Sequence, residues 1–319
     1  MRLRHVNDSE PGLSRRRAGR GFAYYDEGTL VRDPAVKARI ASLAIPPAYD
    51  DVWICRTADG HLQATGRDVK GRKQYRYHPD WHAAQTEQKF SELVAFSRML
   101  PDLRAHVAQE MRRRNLGRDR VLATVVYLLE RAHIRIGNEA YTRENGSFGL
   151  TTLRPEHVQA NGRSVRFRFK GKSGQLRDFK LDDGRVTGLV RKLSDLPGQD
   201  LFQWEDEDGV HDVKSEHVNA WLQEVTGAEL TAKIFRTWAG TVLCADRLAR
   251  GAESVLEGVD HAAEALGNTR AVARSSYIHP AVIDAFEAGR WPGRRKLDGP
   301  PLGDGALSAT EKAVVRLIA

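Results

Sequence analysis

The spacing of hydrophobic residues changes period along this chain, and each change marks an element. Between residues 21 and 80 the pattern is short-period and strand-like. Val52-Trp53-Ile54-Cys55 is an apolar run that predicts a buried strand, and Asp59-Gly60 after it predicts a tight hairpin turn. Further on, Gln74, Arg76 and His78 alternate with Tyr75 and Tyr77, which predicts another strand, ended by Pro79. From about residue 84 the period lengthens: Leu93, Phe96, Leu100 and Leu103 recur at helical spacing. Val121, Val125, Leu128, Leu129 and Ala132 predict an amphipathic helix running towards Arg135. Strict alternation returns once, where Val165, Phe167 and Phe169 interleave with Arg166, Arg168 and Lys170 ahead of a Gly171-Lys172-Ser173-Gly174 turn. That is a hairpin inside a helical region. Phe235, Trp238, Ala239, Val242 and Leu243 give the buried stripe of another helix, and residues 291–305 read as a loose tail before a short final one. The expected fold is α+β: a small β-rich N-terminal domain, residues 1–89, and a larger, mainly helical domain, residues 90–319. Residues 1–20 carry six arginines among Gly, Ser and Pro and read as a mobile basic arm.

Composition narrows the class. Hydrophobic residues make up 41% of 319, enough for a globular core, and no apolar run approaches the roughly 18 residues of a bilayer span. The N-terminus is charged with no apolar segment after it, so no secretory leader is expected. Cys55 and Cys244 lie far apart among apolar neighbours and read as buried, reduced thiols without metal-site spacing. Net charge is +8, an excess that favours a polyanionic partner, nucleic acid first. No strongly amphipathic basic helix points to a membrane surface instead.

Several polar residues stand where each has both an ordinary and a chemical reading. Arg135, in HIRIGNEAY, suits the last turn of a helix, where the dipole favours a cation. Lys172 sits on a glycine-flanked turn that leaves it either solvated or free to reach into a groove. Lys233 and Arg236, in LTAKIFRTWAG, fall three apart on neighbouring positions of a helix; two cations in a first turn oppose the dipole, which weakens a purely surface role. Asn268 follows Gly267 ahead of a helix and suits an N-cap. Tyr277, in SSYIHP, is a lone tyrosine.

Taken in order and spacing, these five stretches resemble the type IB DNA topoisomerases, in particular the compact bacterial and poxvirus-like kind. Arg135 matches the family's R-x-G-x-x-x-Y context, with Tyr141 at a position near the DNA backbone. Lys172 matches its general-acid lysine, and Lys233 with Arg236 its K-D-[FL]-R-T-[WY] motif, with Ile234 where Asp is frequent. Asn268 falls where the family has His or Asn as a phosphate donor, and Tyr277 where it has the nucleophile. The strand with Gln74, Tyr75 and Tyr77 resembles the DNA-facing strand of the N-terminal clamp. The resemblance implies a catalytic set of Arg135, Lys172, Arg236, Asn268 and Tyr277. It implies DNA contacts at Gln74, Tyr75, Tyr77, Tyr141 and Lys233. The implied activity is relaxation of supercoiled duplex DNA through a 3′-phosphotyrosyl intermediate, with no cofactor, ATP or required metal. A monomer in the cytoplasm, at the nucleoid, is expected.

Three other readings compete. Tyrosine recombinases share the catalytic fold but typically carry His-x-x-Arg, where this chain has Lys233-x-x-Arg236, and a helical rather than β-rich N-terminal part. A non-catalytic DNA-binding protein would keep the clamp without the chemistry, yet every catalytic position holds a competent residue; a basic RNA-binding scaffold would explain the charge but not the spaced set.

Overall fold

A computed structural model of the protein describes residues 3–291 and 300–319. The chain forms two compact units, 1–91 and 92–319. The first is built on a six-stranded sheet. Its strands are β1 (Leu13–Ala18), β2 (Gly21–Asp26), β3 (Thr29–Leu30), β4 (Asp50–Ile54), β5 (Leu62–Arg67) and β6 (Lys73–Tyr77), in the order β3-β2-β1-β4-β5-β6. Helix α1 (Pro34–Ser42) starts with Asp33 capping the Ala35 amide and with Pro34 at its first position. Its Ile40 packs with Leu13, Val52, Ile54 and Ala64 into one small core.

The basic N-terminus is not a mobile arm throughout. Leu13–Ala18 is β1, paired along its length with β2 and, at Leu13 and Ser14, with β4. Leu13 is buried in the core, while Arg15 lies over the Phe22 ring and donates to the Pro46 carbonyl. The arginines hid the strand: Arg15 and Arg16 lay their long side chains along the Phe22 and Tyr25 rings, and Arg15 spends its charge on carbonyls. Residues 4–10 also cross this unit: Val6 is buried, the Trp53 indole donates to the Glu10 carbonyl, and Asp8 pairs with Lys73 at 2.5 Å.

Helix α2 (Pro79–Glu110) begins within the first unit and ends in the second. Its Leu93, Phe96, Leu100 and Leu103 are fully buried, as the helical spacing predicts. Next come α3 (Arg118–Ala132), α4 (Glu139–Asn145) and a three-stranded meander, β7 (Val158–Asn161), β8 (Ser164–Lys170) and β9 (Leu176–Asp182). In β8, Val165, Phe167 and Phe169 point inward and Arg166, Arg168 and Lys170 outward. After α5 (Gly184–Ser194) a small hairpin, β10 (Gln203–Asp206) and β11 (Gly209–Asp212), leads into α6 (Ser215–Thr226). Helix α7 (Lys233–Ala249) is buried along nearly its whole length, packed by α8 (Val255–Leu266), α9 (Arg270–Tyr277), α10 (Pro280–Glu287) and α11 (Ala309–Ile318). The architecture is a small β-rich region followed by a mostly helical domain, the α+β class expected.

The loose tail falls partly on residues 292–299, which lie outside the described residues. Residues 300–308 are held in place: Leu302 is buried and the Gly303 and Ser308 amides donate to Glu311. Among the described residues no helix is long and apolar enough to cross a membrane. Cys55 and Cys244 are both buried free thiols, and burial pushes the Cys244 thiol up to about 12.

Candidate active site

The site grows from the ends of helices and one hairpin tip. Helix α3 stops at Ala132, short of Arg135, because His133 takes the left-handed conformation with φ 53. The His133 carbonyl then accepts from Arg236 Nη1. Arg135 therefore sits in an irregular segment rather than a last helical turn. That segment is sewn to residues 149–151: the Leu150 amide donates to the Arg135 carbonyl at 2.8 Å and the Thr151 amide to Ile136 at 2.7 Å. The approach is so close that a Cβ on Gly149 would lie 2.4 Å from the Gly137 Cα, so no side chain fits there. The neighbouring Phe148 amide donates to the Lys170 carbonyl at 2.7 Å, which ties the Arg135 segment to the hairpin.

Lys172 occupies the turn between β8 and β9, where Ser173 and Gly174 both have positive φ. Its ammonium lies 5.9 Å from the centre of the Tyr141 ring. Lys172, Tyr141, Arg135 and Phe148 line one open cleft of about 360 Å³.

Arg236 differs from its helical neighbour Lys233. Lys233 is exposed at the start of α7, whereas Arg236 is 3% exposed one turn on. Its guanidinium donates to the His133 and Leu266 carbonyls and lies 5.0 Å from the centre of the Tyr277 ring. Burial, then the charge of Arg135, lowers Arg236 to about 10, still protonated at neutral pH. Burial likewise pushes His133 down to about 4, with Arg236 and Arg177 adding to it, so its imidazole is neutral. Ile234, at the position where the resembling motif has Asp, is buried.

Asn268 is not an N-cap. Thr269 caps α9, its hydroxyl accepting from the Val272 amide. That frees the Asn268 side chain, whose Oδ1 accepts from Arg135 Nη2. Two donors beside it have no acceptor: Asn268 Nδ2 and Arg236 Nε are buried without a partner.

Tyr277 is the last residue of α9. Burial raises its phenol, but Arg236, Arg135 and Lys233 outweigh that, and the net shift is downward. Its main chain is fixed from α7. A Cβ on Gly240 would lie 2.5 Å from the Tyr277 carbonyl oxygen, and the Thr241 hydroxyl, whose proton is shared between the Thr237 carbonyl at 2.8 Å and the Tyr277 carbonyl at 3.3 Å, accepts from the His279 amide. Gly240→Ala must push α9 away. We expect a loss of about 1–3 kcal/mol in unfolding free energy together with a displaced Tyr277 and lower activity. Wild-type melting and wild-type activity in this variant would show that the contact has slack.

The structure thus brings Arg135, Arg236, Asn268 and Tyr277 together, with Lys172 and Tyr141 across the same cleft as Arg135 and with Lys233 acting on Tyr277 through its charge. Sequence reasoning missed His133, Gly240 and Arg177. Arg177 had a visible signal: with Phe179 and Leu181 it falls on the inward register of β9, where a cation needs a partner. In the first unit, Tyr75 and Tyr77 stack with ring centres 6.0 Å apart on edge strand β6, and Tyr75 is half exposed. Gln74 alternates with them, and its amide donates to Asp68 instead. Among the described residues no group of three or more His, Cys, Asp or Glu is placed to hold a metal.

Comparison with known proteins agrees with this geometry. Residues 76–287 match the family model of the eukaryotic DNA topoisomerase I catalytic core, and residues 21–68 that of the bacterial DNA topoisomerase IB N-terminal domain. The chain is 30% identical over 295 residues to DNA topoisomerase 1B of Acanthamoeba polyphaga mimivirus, covering 86% of this chain and 88% of that protein. It is 22% identical over 241 residues to DNA topoisomerase 1B of vaccinia virus, strain Copenhagen, covering 74% and 75% of the two. A model spanning most of the helical domain and a relative spanning nearly the whole length, both matched by a cationic cluster around one tyrosine, place this chain in the type IB DNA topoisomerase family.

Proposed function

We propose that this topoisomerase relaxes supercoiled duplex DNA by cutting one strand, holding the end on Tyr277, and resealing it without ATP or a required metal. The observation that carries this reading is the pair of buried donors without acceptors, Asn268 Nδ2 and Arg236 Nε, beside a tyrosine whose phenol is shifted down. Buried polar groups are nearly always satisfied, so unpaired donors next to cations mark a place for an anion. A phosphodiester is the anion that a DNA topoisomerase must hold.

The chemistry follows from the positions. The Tyr277 oxygen attacks phosphorus, and its proton leaves towards solvent or a neighbouring base. Arg135, Arg236 and Asn268 hold the non-bridging oxygens, where negative charge builds up. The bond to the 5′ oxygen breaks, and Lys172 supplies the proton that makes it a hydroxyl. One phosphodiester has replaced another, so the reverse attack reseals the strand with no external energy. Lys233 and Tyr141 would contact the backbone near the cut, and Gln74, Tyr75 and Tyr77 the duplex from the N-terminal unit. Binding should weaken steeply with salt. The enzyme is taken to act as a monomer.

Relaxation of plasmid in EDTA without nucleotide tests the energetics. Both signs of supercoil should relax, and a strict need for Mg²⁺ or ATP would defeat the scheme. Lys172→Ala tests the acid. Cleavage should slow by about 10²–10⁴-fold and recover on a substrate with sulfur as the 5′ leaving atom, which needs no proton. If sulfur brings no recovery, Lys172 is not the acid.

A further inference from the structure

Arg177 lies on β9, five residues past Lys172, and its inward register takes it towards the site rather than solvent. Its Nη2 donates to two main-chain carbonyls on separate elements: Ala132, at the end of α3, at 3.4 Å, and Ala265, near the end of α8, at 3.2 Å. Ala132 precedes Arg135 by three residues, and Ala265 precedes Asn268 by three. A Cβ on Gly267, the residue before Asn268, would sit 2.6 Å from Arg177 Nη1, so the guanidinium fills the space that glycine leaves. The stem of Arg177 runs back along the hairpin, close to Gly171 on the other side of the turn. Burial, then Arg135, lowers its pKa.

We infer that Arg177 is a positioning residue for strand cleavage: one guanidinium pins the hairpin that bears Lys172 to the chain ends that bear Arg135 and Asn268. The hairpin tip needs such a pin. Residues 172–176 are all exposed, and two of the turn residues have positive φ. The bond from the Phe148 amide to the Lys170 carbonyl holds one strand of the hairpin, and Arg177 holds the other. Its Nη2 is spent on carbonyls that hold other elements in place, which is the bond pattern of a brace. Lysine replaces only part of this, since an ammonium can donate to carbonyls but has no second nitrogen to fill the space that Gly267 leaves.

This inference rests on Lys172 being the acid, and the test keeps the two apart. Single-turnover cleavage is measured on ordinary duplex and on duplex with a 5′-bridging sulfur, for wild type, Lys172→Ala, Arg177→Met, Arg177→Lys and the Lys172→Ala/Arg177→Met pair. Misplacing the acid by an ångström costs on the order of 10²-fold. Arg177→Met should lose about that much on oxygen and recover most of it on sulfur. Its DNA affinity should stay within about twofold of wild type, and the double variant should be no slower than Lys172→Ala. Arg177→Lys, which keeps charge and stem, should fold like wild type by circular dichroism and show a partial form of the same oxygen-specific loss; it carries the test if the methionine variant misfolds. Equal losses on oxygen and sulfur, multiplied losses in the pair, or wild-type rates would overturn the inference. If Lys172→Ala is rescued by sulfur and the Arg177 variants are not, only the positioning role falls. If Lys172→Ala is not rescued, the acid assignment falls first.

Discussion

Tyr277→Phe should bind duplex DNA as wild type does, form no covalent adduct, and relax neither sign of supercoil. The substitution removes little besides the hydroxyl and its interaction with Arg236. The ring that Arg236 covers at 5.0 Å remains, and the contacts from Gly240 and Thr241 are to the Tyr277 main chain. Only the hydroxyl is lost, and with it the atom proposed to attack phosphorus. The cations that would hold the phosphate stay in place, so affinity and its salt dependence should be unchanged. Gel-shift titration, trapping of adducts with detergent and plasmid relaxation read the three quantities separately. An adduct on the variant would remove Tyr277 as nucleophile. If wild type also gives neither adduct nor relaxation, the chain binds DNA without this chemistry or acts as a recombinase at its own site.

Arg104→Met should destabilise the larger unit by about 3–5 kcal/mol, equivalent to a fall of roughly 6–20 °C in melting temperature. Arg104 is 4% exposed and joins two buried carboxylates, at 2.5 Å from Glu130 and 2.6 Å from Glu311. Glu311 further accepts from the Trp238 indole at 3.0 Å and from the Gly303 and Ser308 amides. Burial pushes the Glu130 carboxyl up in spite of Arg104. Glu311 is also opposed by burial, but Arg104 and the Ser308 amide hold it below its usual value. Without the guanidinium, Glu130 is left with little but burial, which raises it further. A carboxyl raised in the fold favours folding at low pH, so the deficit should shrink as pH falls into the glutamate range. Pairing the variant with Glu130→Met should recover part of the loss, because an apolar pair suits a dry site better than one stranded charge. A melting temperature within about 2 °C of wild type would show the network contributes little.

How much of this could be read from residues alone varied with how local the cause was. The β8–β9 hairpin was plain, because inward and outward positions alternate and the turn glycines sit between them. The burial of α7 was plain too, yet Arg236 and Lys233 looked equivalent, since a sequence does not say which of two cations a neighbouring carbonyl will accept. Asn268 invited the wrong reading for the same reason: Thr269 caps the helix equally well, and which of the two does so depends on Arg135, far away in sequence. Strand β1 was hidden because its partners β2 and β4 are needed to turn an arginine run into a ladder. Arg177 was legible in principle as a cation at an inward position of β9, but its two acceptors belong to helices far from it along the chain.

The closure through Glu311 sets an order of events during synthesis. A ribosome working towards the C-terminus releases Tyr277 and the whole of α7 before the carboxylate that joins Arg104 and Trp238 has been made. Until α11 emerges, Arg104 and Glu130 lack their third partner and one side of α7 lacks its cover. The nascent chain therefore holds all the side chains proposed to react before it holds a settled scaffold, and activity is expected only once Glu311 has emerged.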